Sequence, residues 1–297
     1  MALPTPFRDG RVDLEAFERL VESAVERELD GVVVAGTTGE VATLNDFEHR
    51  NLIHAAVEQA SGRVHVMAGV GTNCTRRTIE MARFAERTGA DSLLAVTPYY
   101  NRPNQRGLRL HYGLLAEAVD APIVLYNVPS RTSVDLAVET AGELARCFEN
   151  IVAIKEACGS PERIAELVRK TSLEVLCGDD HTLAESIGAG AVGTVSVLAN
   201  LCSLPQDLLH HLPGLGEDWG PRLQAEHAGL LEALALDVNP VPVKVLLAEL
   251  GLCRDEVRPP LAPMLPGARA QLVEAWSEHR RLESETEELL AGLDFDA

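Results

Sequence analysis

No segment of the 297 residues supplies the uninterrupted apolar stretch of roughly 20 residues that a membrane helix needs. Met1 to Arg8 lack the basic and long apolar regions of a secretory leader, so the expected compartment is the cytoplasm and no membrane partner is expected. Six cysteines (Cys74, Cys147, Cys158, Cys177, Cys202 and Cys253) are scattered without a C-x-x-C pair, which fits a cytoplasmic enzyme with buried or indifferent thiols better than a disulfide framework. The histidines show neither H-x-H nor H-E-x-x-H spacing. That argues against a metal-dependent barrel hydrolase, and neither a metal nor a cofactor is expected. Positive charge is scarce, with 26 Lys and Arg against 45 Asp and Glu, and the net charge of −19 repels phosphate backbones. Nucleic acid is therefore not an expected partner. Lysine is scarcest of all: only Lys155, Lys170 and Lys244 occur.

What is present is a repeating unit. Short β-branched runs recur at Gly31–Ala35, Val64–Val70, Ser92–Val96, Ile123–Tyr126, Ile151–Lys155, Leu173–Cys177 and Ala191–Val197, and Ala2–Thr5 supplies an eighth. Strands apolar on both faces belong to a parallel sheet covered on both sides. Amphipathic helical stretches lie between them, at 14–28, 46–59, 75–88, 106–119, 135–147 and 161–170. Asp13 and Asn45 stand as N-caps, and Ser160-Pro161 puts proline at a first helical position. Strand–helix units of about 30 residues, eight in number, predict an α/β fold, a (β/α)8 barrel. From about 205 to 293 the pattern is helical only. The expected division is thus 1–204 for the barrel strands and most helices, and 205–297 for the last barrel helix and a C-terminal helical extension.

In such a barrel, chemistry sits where strands end. The strand ends carry G-T-T-G-E (Gly36–Glu40), T-P-Y-Y-N (Thr97–Asn101), Y-N-V-P-S-R-T (Tyr126–Thr132), I-K-E-A (Ile154–Ala157) and G-D-D (Gly178–Asp180). Lys155 follows Ile-Val-Ala-Ile on a central strand, where burial disfavours the ammonium and frees neutral amine to attack a carbonyl. The other reading is a structural lysine paired with Glu156 or another carboxylate, and strand position alone leaves the two level. Lys244, on the helical tail, reads as a partly exposed or ion-paired lysine, and Lys170 suits the C-terminal end of a helix. Amides and hydroxyls of Gly36–Gly39 can hold a carboxylate, or form an ordinary glycine turn. Tyr126 can exchange a proton at a carbonyl carbon, or be a satisfied barrel tyrosine. Arg131 offers a carboxylate fork, although loop arginines often face solvent. Asp179 and Asp180, without partnering histidines, read as capping and loop residues, and His49 as a helix-surface histidine.

Taken together and in this order, the five motifs resemble the dihydrodipicolinate synthase/N-acetylneuraminate lyase family over nearly the whole chain. The resemblance implies a class I lyase without cofactor, in which Lys155 forms a Schiff base with pyruvate. It further implies condensation of that pyruvate with L-aspartate 4-semialdehyde, in lysine and diaminopimelate biosynthesis. By the same resemblance Tyr126 works over the imine, Thr37 relays its proton, and Tyr100 completes the relay from a neighbouring subunit. Thr38 and the backbone carbonyl of Val195 match pyruvate-contacting positions, and Arg131 matches the arginine that holds the semialdehyde carboxylate. The family precedent is a homotetramer, a dimer of dimers. Three departures stand out: Ser133 replaces a usual glycine, Arg77 stands where lysine-inhibited relatives carry an acidic residue, and Asp46 replaces a usual histidine. Two alternatives remain: a pyruvate-dependent aldolase of a 2-keto-3-deoxy sugar acid, and a non-catalytic paralogue that binds small molecules.

Overall fold

The computed structural model describes residues 1–203, 205 and 219–291. A short antiparallel hairpin, β1 (Phe7–Arg8) with β2 (Arg11–Val12), leads into α1 (Leu14–Glu26). Asp13 starts that helix by accepting a hydrogen bond from the Ala16 amide, as its sequence position predicts. Ala16, Phe17, Leu20, Val21 and Ala24 fall on one stripe and are buried against the sheet. Each large apolar side chain so buried contributes about 1.5–3 kcal/mol. α2 (Asp46–Ala60) opens with a full capping box between Asn45 and Glu48. α7 (Pro161–Lys170) is capped by Ser160 and starts on proline.

Seven strands follow one another in sequence order around a parallel sheet. They are β3 (Gly31–Val34), β4 (His65–Gly69), β5 (Ser92–Val96), β6 (Ile123–Asn127), β7 (Ile151–Glu156), β8 (Glu174–Cys177) and β9 (Gly193–Thr194). Between them run α3 (Thr75–Thr88), α4 (Gln105–Ala116), the single turn α5 (Pro129–Thr132), α6 (Val138–Cys147) and α8 (Leu183–Gly188). The eighth expected strand, Ala2–Thr5, is reduced to one bridge, Ala2 beside Val33. That short contact is still enough to close the ring. Leu3 donates to the Val33 carbonyl (3.0 Å) on one side, and Ala2 donates to the Ser196 carbonyl (2.8 Å) beyond β9 on the other. The result is a (β/α)8-type barrel.

Two separate cores follow from strand alternation. Side chains pointing outward pack under the helices, while Ala2, Val33, Leu94, Val124, Tyr126, Ala153 and Val195 fill the barrel interior. The predicted helical stretch from 205 to 293 lies partly outside the described residues. What is described there is α9 (Trp219–Glu226), α10 (Ala228–Leu234), α11 (Val241–Glu249) and α12 (Pro266–Ala291). No helix among the described residues is long and apolar enough to cross a membrane.

Candidate active site

Lys155 and Tyr126 are opposite each other in the β6–β7 register, so both side chains point into the barrel near the C-terminal ends of the strands. The Lys155 Nζ stands 4.4 Å from the centre of the Tyr126 ring. The next residue, Glu156, faces the other way. Its carboxylate accepts from Arg163 Nε (2.8 Å) and from Asn127 Nδ2 (2.9 and 3.1 Å), and so is fully engaged outside the barrel. The pairing of Lys155 with Glu156 that the sequence left open therefore does not form. Among the described residues no ion pair reaches Lys155 at all, although the residue is only 7% exposed. A buried amine without a counter-ion is available for covalent chemistry.

Space for that amine is created by Gly178. A Cβ there would stand 2.7 Å from Lys155 Cε and 2.8 Å from the Ala157 Cβ. No larger residue fits while Lys155 keeps its position. This accounts for the glycine of G-D-D by close approach rather than by turn geometry.

Around Lys155 lies a cavity of about 230 Å³, lined among others by Thr37, Thr38, Tyr126, Arg131 and Val195. Six of the seven residues singled out in the sequence thus share one cavity. The seventh, Tyr100, is 90% exposed with a left-handed backbone (φ 72°) and does not line it. A larger cavity of about 420 Å³ opens at the opposite mouth, where Gly31, His65 and Gly193 begin their strands. Barrel chemistry belongs to the C-terminal strand ends, so the smaller cavity is the candidate site.

The Tyr126 hydroxyl is 3.5 Å from Thr37 Oγ1, at the outer limit of a hydrogen bond and short enough to tighten around a bound ligand. Thr38 Oγ1 accepts a hydrogen bond from Asn239 Nδ2 (3.1 Å), and the Asn239 carbonyl accepts from Arg131 Nη2 (3.4 Å). The segment ahead of α11 therefore ties Thr38 and Arg131 to one residue. Asn239 is a member of the site that the sequence reading missed. Its only signal was proximity to Lys244 in N-P-V-P-V-K.

Lys244 is completely buried and ion-paired: Nζ donates to Glu40 Oε1 at 2.6 Å and sits 4.3 Å from the centre of the Phe7 ring. Burial pushes its pKa down while the Glu40 carboxylate opposes the shift. The second Glu40 oxygen accepts from the Arg258 amide (3.0 Å). Glu40, the last residue of G-T-T-G-E, thus anchors the loop that carries Thr37 and Thr38. Of the two readings of Lys244, the ion-paired one holds. Asp179 and Asp180 serve the loop, as expected. Asp179 accepts from the His181 amide (3.0 Å), and Asp180 accepts from the amides of Val197 and Leu198 (both 2.9 Å). A hydrogen bond from His181 holds the Asp179 carboxyl below its usual range, and the same contact raises His181. His49 is not a surface histidine. It is buried and its Nε2 donates to the Gly69 carbonyl at 2.8 Å, with desolvation lowering its pKa.

A model of the Dihydrodipicolinate synthetase family matches residues 1–279. The chain belongs to that family. The 4-hydroxy-tetrahydrodipicolinate synthase of Pelobacter propionicus is 43% identical over 277 residues, 92% of this chain and 94% of the relative. The solved 4-hydroxy-tetrahydrodipicolinate synthase of Methylacidiphilum fumariolicum SolV superposes with a TM-score of 0.91 at 39% identity, covering 97% of both chains. A chloride-inhibited dihydrodipicolinate synthase from Acinetobacter baumannii, solved with pyruvate, gives 0.88 at 39% identity over 94% of this chain and 97% of its own.

In this member of the dihydrodipicolinate synthetase family, Ser133 carries a conformational cost. Ser133 closes α5 in the left-handed conformation (φ 55°), where glycine is unstrained and serine is not. The serine therefore adds backbone strain beside Arg131, which lines the cavity wall. Arg77 forms a loose, exposed ion pair with Asp46 (3.5 Å), which leaves its guanidinium largely in solvent.

Proposed function

We propose that this member of the family is a 4-hydroxy-tetrahydrodipicolinate synthase, condensing pyruvate with L-aspartate 4-semialdehyde through a Schiff base on Lys155. The observation that carries the reading is the buried Lys155 amine, without an ion pair among the described residues and 4.4 Å from the centre of the Tyr126 ring, whose hydroxyl faces Thr37. The amine attacks the keto carbon of pyruvate and water leaves, giving an imine. Loss of a methyl proton converts it to an enamine, whose carbon attacks the aldehyde. The semialdehyde amine then adds to the imine carbon, closes the ring and releases Lys155.

In this reading Tyr126 protonates the carbinolamine hydroxyl as water leaves, takes the methyl proton to give the enamine, and returns a proton to the aldehyde oxygen as the new carbon–carbon bond forms, with Thr37 as the next station. Thr38, whose hydroxyl accepts from Asn239 and can still donate, holds the pyruvate carboxylate, and the backbone carbonyl of Val195 contacts the pyruvate without accepting from it. Arg131, steadied by the Asn239 carbonyl, takes the semialdehyde carboxylate. An assay with a panel of aldehydes tests the assignment. L-aspartate 4-semialdehyde is expected to be turned over at least about 100-fold more efficiently than sugar aldehydes, because only a charged carboxylate uses the Arg131 fork. Preference for glyceraldehyde would establish the aldolase instead.

The relay from Tyr126 and Thr37 needs a third hydroxyl, and Tyr100 is exposed on its own subunit. We assign it to the site of a neighbouring copy in a dimer of dimers. Sedimentation is expected to give a tetramer, and Tyr100→Phe to lower turnover by about 10- to 100-fold. An active monomer, or unchanged turnover in Tyr100→Phe, would contradict the assignment. Six cysteines, none of them in a disulfide, support a cytoplasmic enzyme.

Feedback by lysine is expected to be weak or absent. The Arg77 guanidinium stands where an acidic group would receive the inhibitor's ammonium, and like charges repel. Turnover measured across lysine concentrations should stay flat below the millimolar range; half-inhibition at sub-millimolar lysine would refute this.

A further inference from the structure

Away from the cavity around Lys155, the C-terminal helices bring together three buried groups of metal-binding chemistry. We propose that Cys202, His227 and His279 form a site for a transition-metal dication of the zinc class, clamping the C-terminal helices to the barrel. Cys202 follows the turn Leu198–Asn200, after the last strand; His227 stands between α9 and α10; His279 projects from α12. All three are at least nine-tenths buried, and their ligand atoms lie within 4.8 Å of one another. No spacing motif joins them. Only the fold does, which is why the expectation drawn from histidine spacing was no metal at all.

The donor set itself points to the ion. One thiolate and two imidazoles suit zinc, cobalt or copper, whereas magnesium and calcium require oxygen. In a tetrahedral centre with metal–sulfur bonds of about 2.3 Å and metal–nitrogen bonds of about 2.0–2.1 Å, neighbouring ligand atoms stand roughly 3.3–3.6 Å apart. Side-chain rotation of about 1 Å closes the difference. The surroundings are closely packed. The His227 and His279 rings are 4.7 Å apart, and Trp276 stacks on His279 at 5.6 Å, fixing the ring's plane. On the other side, Arg27 donates to the carbonyls of Ala199 and Cys202 (2.7 and 2.8 Å) and so holds the turn that presents the thiol.

Binding is balanced by one proton: the Cys202 thiol becomes a thiolate, both imidazoles bind neutral, and the proton goes to solvent. The bound dication and thiolate add a net positive charge to a chain of −19. The site lies outside the cavity of Lys155, and the ion takes no part in the reaction.

Chelator-treated full-length protein titrated with cobalt(II) tests the proposal. The expected result is a thiolate-to-cobalt absorption band in the near ultraviolet with tetrahedral visible bands, saturating at one ion per chain and displaced by zinc. Zinc should release close to one proton per ion and raise Tm by several degrees at saturating metal. Cys202→Ser is expected to abolish the charge-transfer band and weaken zinc binding at least about 100-fold, with turnover retained. His279→Asn and His227→Asn should weaken it comparably while keeping the thiol, so that a Cys202→Ser protein that fails to fold does not prevent a decision. No band from folded wild-type protein, or a band that survives these substitutions because the metal sits elsewhere, would overturn the proposal.

Discussion

Replacing Lys155 with alanine is expected to reduce turnover of pyruvate and L-aspartate 4-semialdehyde by about 10⁴-fold or more, the scale set by loss of a covalent nucleophile. The fold should survive the change. Lys155 contributes no ion pair among the described residues, and removing a buried polar amine relieves a desolvation cost. Tm is therefore expected to stay level or rise, in the manner of active-site residues that trade stability for activity. Lys155→Arg separates nucleophile from charge. It places a permanent cation there, but a guanidinium stays protonated and forms no imine, so it should be as inactive as the alanine variant. Thr38→Val, by contrast, should act mainly through the KM for pyruvate, because its hydroxyl positions substrate and makes no covalent bond. An active Lys155→Arg enzyme would mean that charge, not the amine, carries the chemistry.

The second large effect is expected far from the reacting atoms. Glu40→Gln leaves the Lys244 ammonium buried without a counter-charge, and Lys244→Met leaves the Glu40 carboxylate in the same state. Breaking a buried pair from one side costs about 3–5 kcal/mol, whereas removing both charges is often neutral. Either single variant should therefore lose most of that amount in chemical denaturation, and the double variant Glu40→Gln/Lys244→Met should recover most of it. The amide oxygen introduced by Glu40→Gln can still accept from the Arg258 amide, which supports the recovery. The single variants should also raise the KM for pyruvate, since Glu40 ends the loop bearing Thr37 and Thr38. Additive losses in the double variant would show that the pair does not act as a unit.

Much of this architecture is legible in the sequence because parallel strands covered on both faces must be apolar throughout. Ser92–Val96, Thr75–Thr88 and Pro161–Lys170 fall where the pattern puts them. Boundaries slip where side chains capture backbone amides. The helix expected from residue 135 begins at Val138, because the Leu136 amide donates to Asn127 Oδ1 and the Ala137 amide to Gln105 Oε1. The last strand shrinks to Gly193–Thr194, since beyond it the chain serves the bridge to Ala2 rather than a long ladder.

The motif residues of the cavity were legible for a related reason: strand ends are the one place where a barrel needs unusual chemistry. Polar groups whose partners are remote were not. Nothing near His49 announces the Gly69 carbonyl, and nothing near Lys244 announces Glu40. The convergence of Cys202, His227 and His279 is likewise a property of helix packing rather than of any local spacing.

The most direct measurement is intact-mass spectrometry after borohydride reduction in the presence of pyruvate, on wild-type protein and on Lys155→Ala. A Schiff base on Lys155 predicts one reduced pyruvate adduct per wild-type chain, located to the peptide containing Lys155, and none on the variant. Folded wild-type protein that traps no adduct, or a Lys155→Ala protein that still does, would contradict it.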